Sequence, residues 1–310
     1  MKNNSSLKYL KHAEIDSEKW NRCVENAGNN RIYSMAWYLD IVTEKWDALI
    51  WGDYEFVMPL PVKKKFGIQH VYQPTYCQQL GIFPNPSEEI QKQFAIQLKR
   101  KYGIINYQIN SENDIRAFEN FKNTRKVNFE LALNPDYQNL FNSFSKHAKR
   151  NINSARKNSV TVVKGGTPDT FIKTKKEATK VSVNESTYRI LNRLMANFIT
   201  SGKGVVYTAY SANNTICAAA FIVFYKNRAY YLNAFSTDEG RENRAMYAIV
   251  NEIIKEFSET GTVLDFEGSV IDGIARFYKG FGALPKNYFY IYSNRFPVIN
   301  SVVKRLKLLR

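Results

Sequence analysis

The segment Leu264-Asp265-Phe266-Glu267-Gly268-Ser269 sets two carboxylates two positions apart and then breaks the chain with Gly-Ser. On a strand such residues share one face, and Gly268 ends the strand beside them. Carboxylates at the end of a strand in an α/β fold stand where loops build sites. Either acid could take a proton from an amine attacking an activated carbonyl, or orient that amine. An ion pair, to Arg276 or to a basic helix earlier in the chain, is the structural alternative. On the next predicted helix, Arg276 offers a fork for a carboxylate or phosphate. Tyr278 could protonate a leaving thiolate or hydroxyl, although a tyrosine in this setting is more often core.

A second constellation is electrostatic. No Asp or Glu occurs from Tyr137 to Pro168, a stretch that carries Lys146, Lys149, Arg150, Arg156 and Lys157. Phe141, Phe144, Ala148, Ile152 and Ala155 recur at three- and four-residue steps, so the cations occupy the outer face of an amphipathic helix at about 137–158. A solvated helix face normally mixes signs. An unneutralised one suits phosphate contact through Lys149, Arg150 and Arg156, unless acids arrive from elsewhere in the fold. Across the chain, 44 Lys and Arg against 28 Asp and Glu leave a formal charge of +16. That field favours a polyanionic partner: RNA, a phosphate-rich small molecule or an anionic membrane surface. A third, weaker cluster is Tyr72, Gln73, Tyr76, Gln78 and Gln79 in VYQPTYCQQLGIF, whose amides and phenols suit a peptide or sugar acceptor or simply a solvated edge strand.

The elements that must position these groups repeat. In the first half, Ser34 is placed to cap a helix that presents Trp37, Tyr38 and Ile41, hairpin-forming strands span 47–83, and Ser87 opens a helix to Lys101. A strand, a short helix and VNFELAL follow. In the second half come VVYTAYS, TICAAAFIVFY and RAYYLNAFS, then a helix from about Arg244 to Phe257, the strand TVLDF, a helix at 271–280 and the strand NYFYIYS. The repeated hairpin–helix–strand plan predicts a diverged duplication of a mixed α/β domain: residues 1–134, residues 135–295, and a basic amphipathic helix at 296–310 packed back on the protein. The same terminal helix could lie on an anionic membrane.

Three segments carry a family resemblance: Ser34 to Trp37, residues 128–160 with Arg150, Asn151, Ile152 and Ala155, and above all LDFEGSVIDGIARFYKGFGA (264–283). They resemble the Fem-like aminoacyltransferases of the GNAT N-acyltransferase superfamily. The resemblance implies two tandem GNAT-like domains, each a mostly antiparallel twisted sheet flanked by helices. It also implies an enzyme that joins an aminoacyl or acyl group to the amine of a cell-wall-type peptide or another small molecule. Glu267, Asp265 and Tyr278 are then the catalytic candidates, and Arg276, Trp37, Tyr72, Gln73, Tyr76 and Gln78 the substrate-binding ones. Lys149, Arg150, Arg156 and Arg244 are the phosphate contacts.

GNAT enzymes that use acyl-CoA usually carry a glycine-rich loop where this chain reads STDEGRENRAMYAIV. One glycine, Gly240, and three acids, Asp238, Glu239 and Glu242, weaken that expectation and favour an aminoacyl-tRNA donor over CoA. In this loop Asn243 is expected to cap the helix and Arg244 to meet a phosphate. No tightly bound cofactor is expected, and the three dispersed histidines and three dispersed cysteines predict no metal site and no disulfide framework. Without an apolar leader or a long apolar run, a cytoplasmic location is expected. No DNA specificity is indicated. A non-catalytic RNA- or membrane-surface-binding protein on the same fold is the rival from another class.

Overall fold

A computed structural model of the chain describes residues 6–65, 67–268 and 271–296. In chain order the elements are β1 (Leu7–Leu10), α1 (Ser17–Asn26), α2 (Ala36–Val42), β2 (Trp46–Trp51), β3 (Phe56–Lys65), β4 (Ile68–Val71), α3 (Glu88–Lys101), β5 (Ile104–Ile109) and β6 (Lys122–Ala132). There follow α4 (Tyr137–Ser143), α5 (Lys146–Lys157), β7 (Thr161–Lys164), α6 (Pro168–Ala178), α7 (Glu185–Thr200), β8 (Gly204–Tyr210), β9 (Ile216–Tyr225) and β10 (Arg228–Ser236). Last come α8 (Asp238–Glu242), α9 (Ala245–Phe257), β11 (Val263–Asp265), α10 (Asp272–Gly280) and β12 (Leu284–Asn294).

Two compact units divide the chain: residues up to 126 together with those from 287 onward, and residues 127–286. In the first the strand order is β1-β2-β3-β4-β5-β12; in the second it is β7-β8-β9-β10-β11-β6. Each order contains one parallel pair, β4 with β5 and β10 with β11, and is otherwise antiparallel. In each unit the parallel pair is joined through a helix, α3 or α9, as a parallel connection requires. The duplicated plan is therefore visible strand by strand.

The expected boundary near residue 134 moves, and the reason is strand pairing. Residues Glu130 to Ala132 of β6 pair with β11, so this strand completes the second unit although it follows β5 in the chain. Residues Phe289 to Asn294 of β12 pair with β5, so the final strand completes the first unit and not the second. The predicted helix at 296–310 lies outside the described residues beyond Phe296.

Local chemistry explains other departures. The basic helix is broken at Phe144-Ser145, where the Ser145 hydroxyl accepts from the Ala148 amide and starts α5. Ser34 does not cap α2; it is buried in a short turn, Met35 holds the cap position, and Asn21 Oδ1 accepts from the Ala36 amide. The stretch after β4 is loop and not strand, with a left-handed backbone at Tyr76. In the second unit, Ala148 and Ile152 of α5 and Ile249, Val250 and Ile253 of α9 pack in one core with strand residues such as Leu131 and Ile222. The stripe that sequence periodicity marks is the stripe that is buried.

Candidate active site

Within the second unit, β10 and β11 run parallel only over Arg228–Tyr230 and Val263–Asp265. Beyond that point they part. A register shift between Tyr231 and Asn233 bulges β10 at Leu232, the kind of irregularity that re-aims side chains beside sites. Two carbonyls on this stretch are taken by side chains: Ala234 O accepts from Lys175 Nζ at 2.9 Å, and Ser236 O accepts from Arg241 Nη1. On the other side the chain turns away through Glu267 (φ 56°) and Gly268 (φ 66°). Gly268 is obligatory for more than its φ, because a Cβ there would stand 2.2 Å from Val127 O. A left-handed glutamate is a strained position of the kind that collects at functional sites.

The parting strands open a cavity of about 700 Å³. Its walls are mainly aromatic and aliphatic: Tyr231, Phe235, Met246, Phe266, Phe277 and Tyr278 among them. Polar groups converge on it from three sides. Glu267 comes from the turn; Asn233 and Ser236 come from β10; Arg241 and Arg244 come from α8 and its junction with α9. Asn233 Oδ1 and Ser236 Oγ are buried atoms with no hydrogen-bond partner among the described residues, so each has capacity left for a ligand. Tyr278 stacks on Phe266 with ring centroids 4.5 Å apart and is 7% exposed. Burial first, and then the charge of Glu267, push its phenol well above the usual range. At neutral pH it therefore keeps its proton.

The two expected carboxylates separate. Strand β11 ends at Asp265, so Glu267 lies beyond it and does not share its face. Asp265 is 1% exposed and lies outside the cavity lining. Its Oδ1 accepts from Asn128 Nδ2 (2.8 Å) and from the Glu267 amide (3.0 Å); its Oδ2 accepts from Arg228 Nη1 (3.0 Å). Arg228 also pairs with Glu130 at 3.0 Å. Asp265 is thus a buried anchor that fixes the turn carrying Glu267. Its partner is Arg228 and not Arg276, which is exposed and also outside the lining.

The loop at 236–245 also differs from expectation. Residues 238–242 form a helical turn capped by Thr237, whose hydroxyl accepts from the Gly240 amide. Gly240 is required by packing, since a Cβ would stand 2.0 Å from Cys217 O. The turn puts Arg241 and Arg244 on the cavity and leaves all three acids off it: Asp238 pairs with Lys180 at 3.1 Å and with Arg241, Glu239 accepts from Thr215, and Glu242 is exposed. Asn243 ends α8 and does not cap α9; Arg244, at φ 61°, holds that position.

Elsewhere in this unit Lys149 and Arg150 line an open hollow along α5 with Lys146 and Lys157. Arg156 is exposed and outside that lining. His147, on the same helix, approaches Tyr247 of the cavity wall with ring centroids 6.0 Å apart. In the first unit, Tyr38 donates to Tyr76 O (2.6 Å) and Tyr72 donates to Thr43 Oγ1 (2.8 Å). Gln73 ties its loop together, donating to Cys77 O and accepting from the Gln108 amide. Trp37 lies 5.7 Å from the Tyr38 ring, and Gln78 accepts from Gln79.

Tyr231, Phe266, Met246, Arg241, Asn233 and Ser236 escaped the sequence reading. Asn233 and Ser236 left a signal: polar side chains in a strand whose neighbours are apolar. Among the described residues no group of His, Cys, Asp and Glu could hold a metal ion, and no helix is long and apolar enough to cross a membrane.

No family model matches the chain, and no curated protein matches its sequence. Its fold is similar to that of FemX, with a TM-score of 0.66 at 13% identity over 95% of this chain and 99% of FemX. A conserved protein of unknown function from Bacteroides thetaiotaomicron gives 0.60 at 13% identity over 93% and 99%. L-PGS from Bacillus licheniformis gives 0.54 at 13% identity over 95% and 97%. The chain shares its fold with FemX and with L-PGS.

Proposed function

We propose that the chain is an acyltransferase that joins an activated acyl group to a primary amine, and that the donor is an aminoacyl ester carried on RNA. The observation that carries this reading is the cavity between the parted strands, in which Glu267 and Tyr278 face a common space walled by apolar rings. The amine nitrogen attacks the ester carbonyl; a C–N bond forms, the C–O bond breaks, and the amine proton leaves. Glu267 takes that proton and Tyr278 gives one to the departing ribose oxygen; proton exchange with water then returns Glu267 to the carboxylate and Tyr278 to the phenol, so the cycle balances. Positioning by the rigid walls supplies much of the acceleration. The cations of α5, which enter no ion pair among the described residues, support a donor with several phosphates. A peptide amine of the cell-wall type is the acceptor in this reading.

A second donor has a specific observation in its favour. Arg241 and Arg244 face the cavity and the loop acids do not, so a pyrophosphate-bearing acyl-CoA fits better than the sequence suggested. Thermal shifts with acetyl-CoA, CoA and aminoacylated tRNA separate the two, because a bound donor stabilises the fold by mass action. With the donor that binds, Glu267→Gln is expected to lower kcat about 100-fold with little change in melting temperature. Unchanged turnover in that variant removes Glu267 from the mechanism. Absence of turnover with every donor, together with tight salt-dependent RNA binding, replaces the enzyme with a binding protein.

A further inference from the structure

The first unit carries a cationic face of its own. A hollow of about 320 Å³ beside α3 is lined by Lys92, Lys99, Arg100 and Arg295 against a single carboxylate, Glu119. Lys92 is matched by Glu88 at 2.7 Å. Lys99, Arg100 and Arg295 enter no ion pair among the described residues. The hollow borders Ile96, which is 61% exposed on the outer line of α3 between Gln93 and Arg100.

The described chain ends on this same face. The Arg295 amide donates to Gly103 O at 2.8 Å, just past the end of α3. Phe296, 39% exposed, lies against Gly103, where a Cβ would meet its ring at 2.4 Å. The sequence then continues for the fourteen residues 297–310, with Lys304, Arg305, Lys307 and Arg310, no acid, and Ile299, Val302, Val303 and Leu306 interleaved.

We propose that this face docks on an anionic lipid bilayer, with Ile96 and Phe296 entering the headgroup layer and Lys99, Arg100 and Arg295 meeting lipid phosphates. The mixture of groups selects the partner. A phosphodiester chain uses the cations but gains nothing from an exposed isoleucine. A bilayer surface uses both, since apolar side chains partition into the headgroup–acyl boundary while cations meet the surface potential. In sequence, residues 297–310 repeat the same pairing of basic and apolar residues. This inference is independent of the acyl-transfer reading, because it concerns α3 and not the cavity of the second unit.

The test is co-sedimentation of the full chain with vesicles of phosphatidylcholine, alone or mixed with phosphatidylglycerol, at low and high salt. Binding is expected to the mixed vesicles, with little to the neutral ones, and is expected to weaken with salt. Lys99→Ser with Arg100→Ser should weaken it by about fivefold per lost charge. Ile96→Ser should weaken it further at any salt. All three positions are on the surface side of α3, and unchanged melting curves confirm that the variants fold. A chain lacking residues 297–310 should still bind and remain sensitive to the α3 variants. Vesicle binding that ignores the α3 substitutions overturns the proposal, whether or not the tail is needed. So does an effect of those substitutions on single-stranded RNA binding with none on vesicles, which would make the face an RNA contact.

Discussion

Asp265→Asn is the sharpest test of how the cavity is held, because the substitution changes one atom. The amide that replaces the carboxylate keeps an Oδ1 that can still accept from Asn128 and from the Glu267 amide, which lie 2.8 and 3.0 Å away in the wild type. Its Nδ2 takes the place of the oxygen that accepts from Arg228 at 3.0 Å, so two donors then face each other. Arg228 retains Glu130 but loses its fully buried partner. Removing one partner of a buried pair costs about 3–5 kcal/mol, and the surviving Glu130 contact sets the lower end, about 3 kcal/mol. The second unit spans residues 127–286. For a domain of that size the loss corresponds to a fall in Tm of roughly 6–12 °C. Thermal unfolding followed by circular dichroism reads it directly. Adding Arg228→Met and Glu130→Gln removes all the charge at once and should recover most of the loss. A Tm within about 1 °C of wild type for Asp265→Asn would refute the reasoning, as would a triple variant no more stable than the single one.

Two further outcomes are expected. Burial holds the Lys175 ammonium down at about 8 from 10.5, so in the window between those values the unfolded chain binds a proton that the folded chain does not, and stability rises with pH there. The advantage of Lys175→Met over wild type should therefore shrink by about 2–3 kcal/mol between about pH 8 and about pH 10 in denaturant melts; a constant difference contradicts it. Replacing Lys146, Lys149, Arg150 and Lys157 by Ala should flatten the salt dependence of polyanion binding by roughly one unit per lost phosphate contact. In filter-binding titrations Arg156→Ala should have a smaller effect, because Arg156 lies outside the α5 hollow.

Much of the fold was legible because its signals are local. The hairpins at Asn214 and Lys226 have the left-handed turns that their sequences announce, and the α9 stripe is the buried one. The partners of strands were not legible, because β6 and β12 carry nothing in their own residues that says which sheet edge they complete. The site divides along the same line. Glu267 and Tyr278 stand in the most distinctive segment of the chain and face the cavity. The fate of Asp265 depended on Arg228 and Asn128, distant in sequence, and no spacing rule finds such partners. The loop acids misled because composition counts charges while a helical turn sorts them by face.

The crossing of strands between units bears on biosynthesis. Residues 1–126 contain five of the six strands of the first unit, but β5 has no neighbour on its β12 side until Phe289–Asn294 have been made. A nascent chain emerging from the ribosome therefore holds an open edge through the synthesis of the whole second unit, and an open edge is a template for pairing with the wrong chain. Dissection is constrained in the same way. A fragment cut at 134 lacks β12 and takes β6 away from the unit it completes, so expression of either half alone should give an aggregation-prone product. A permuted chain that begins at 287 and joins the old termini by a linker would place β12 ahead of β5 and close the first sheet early.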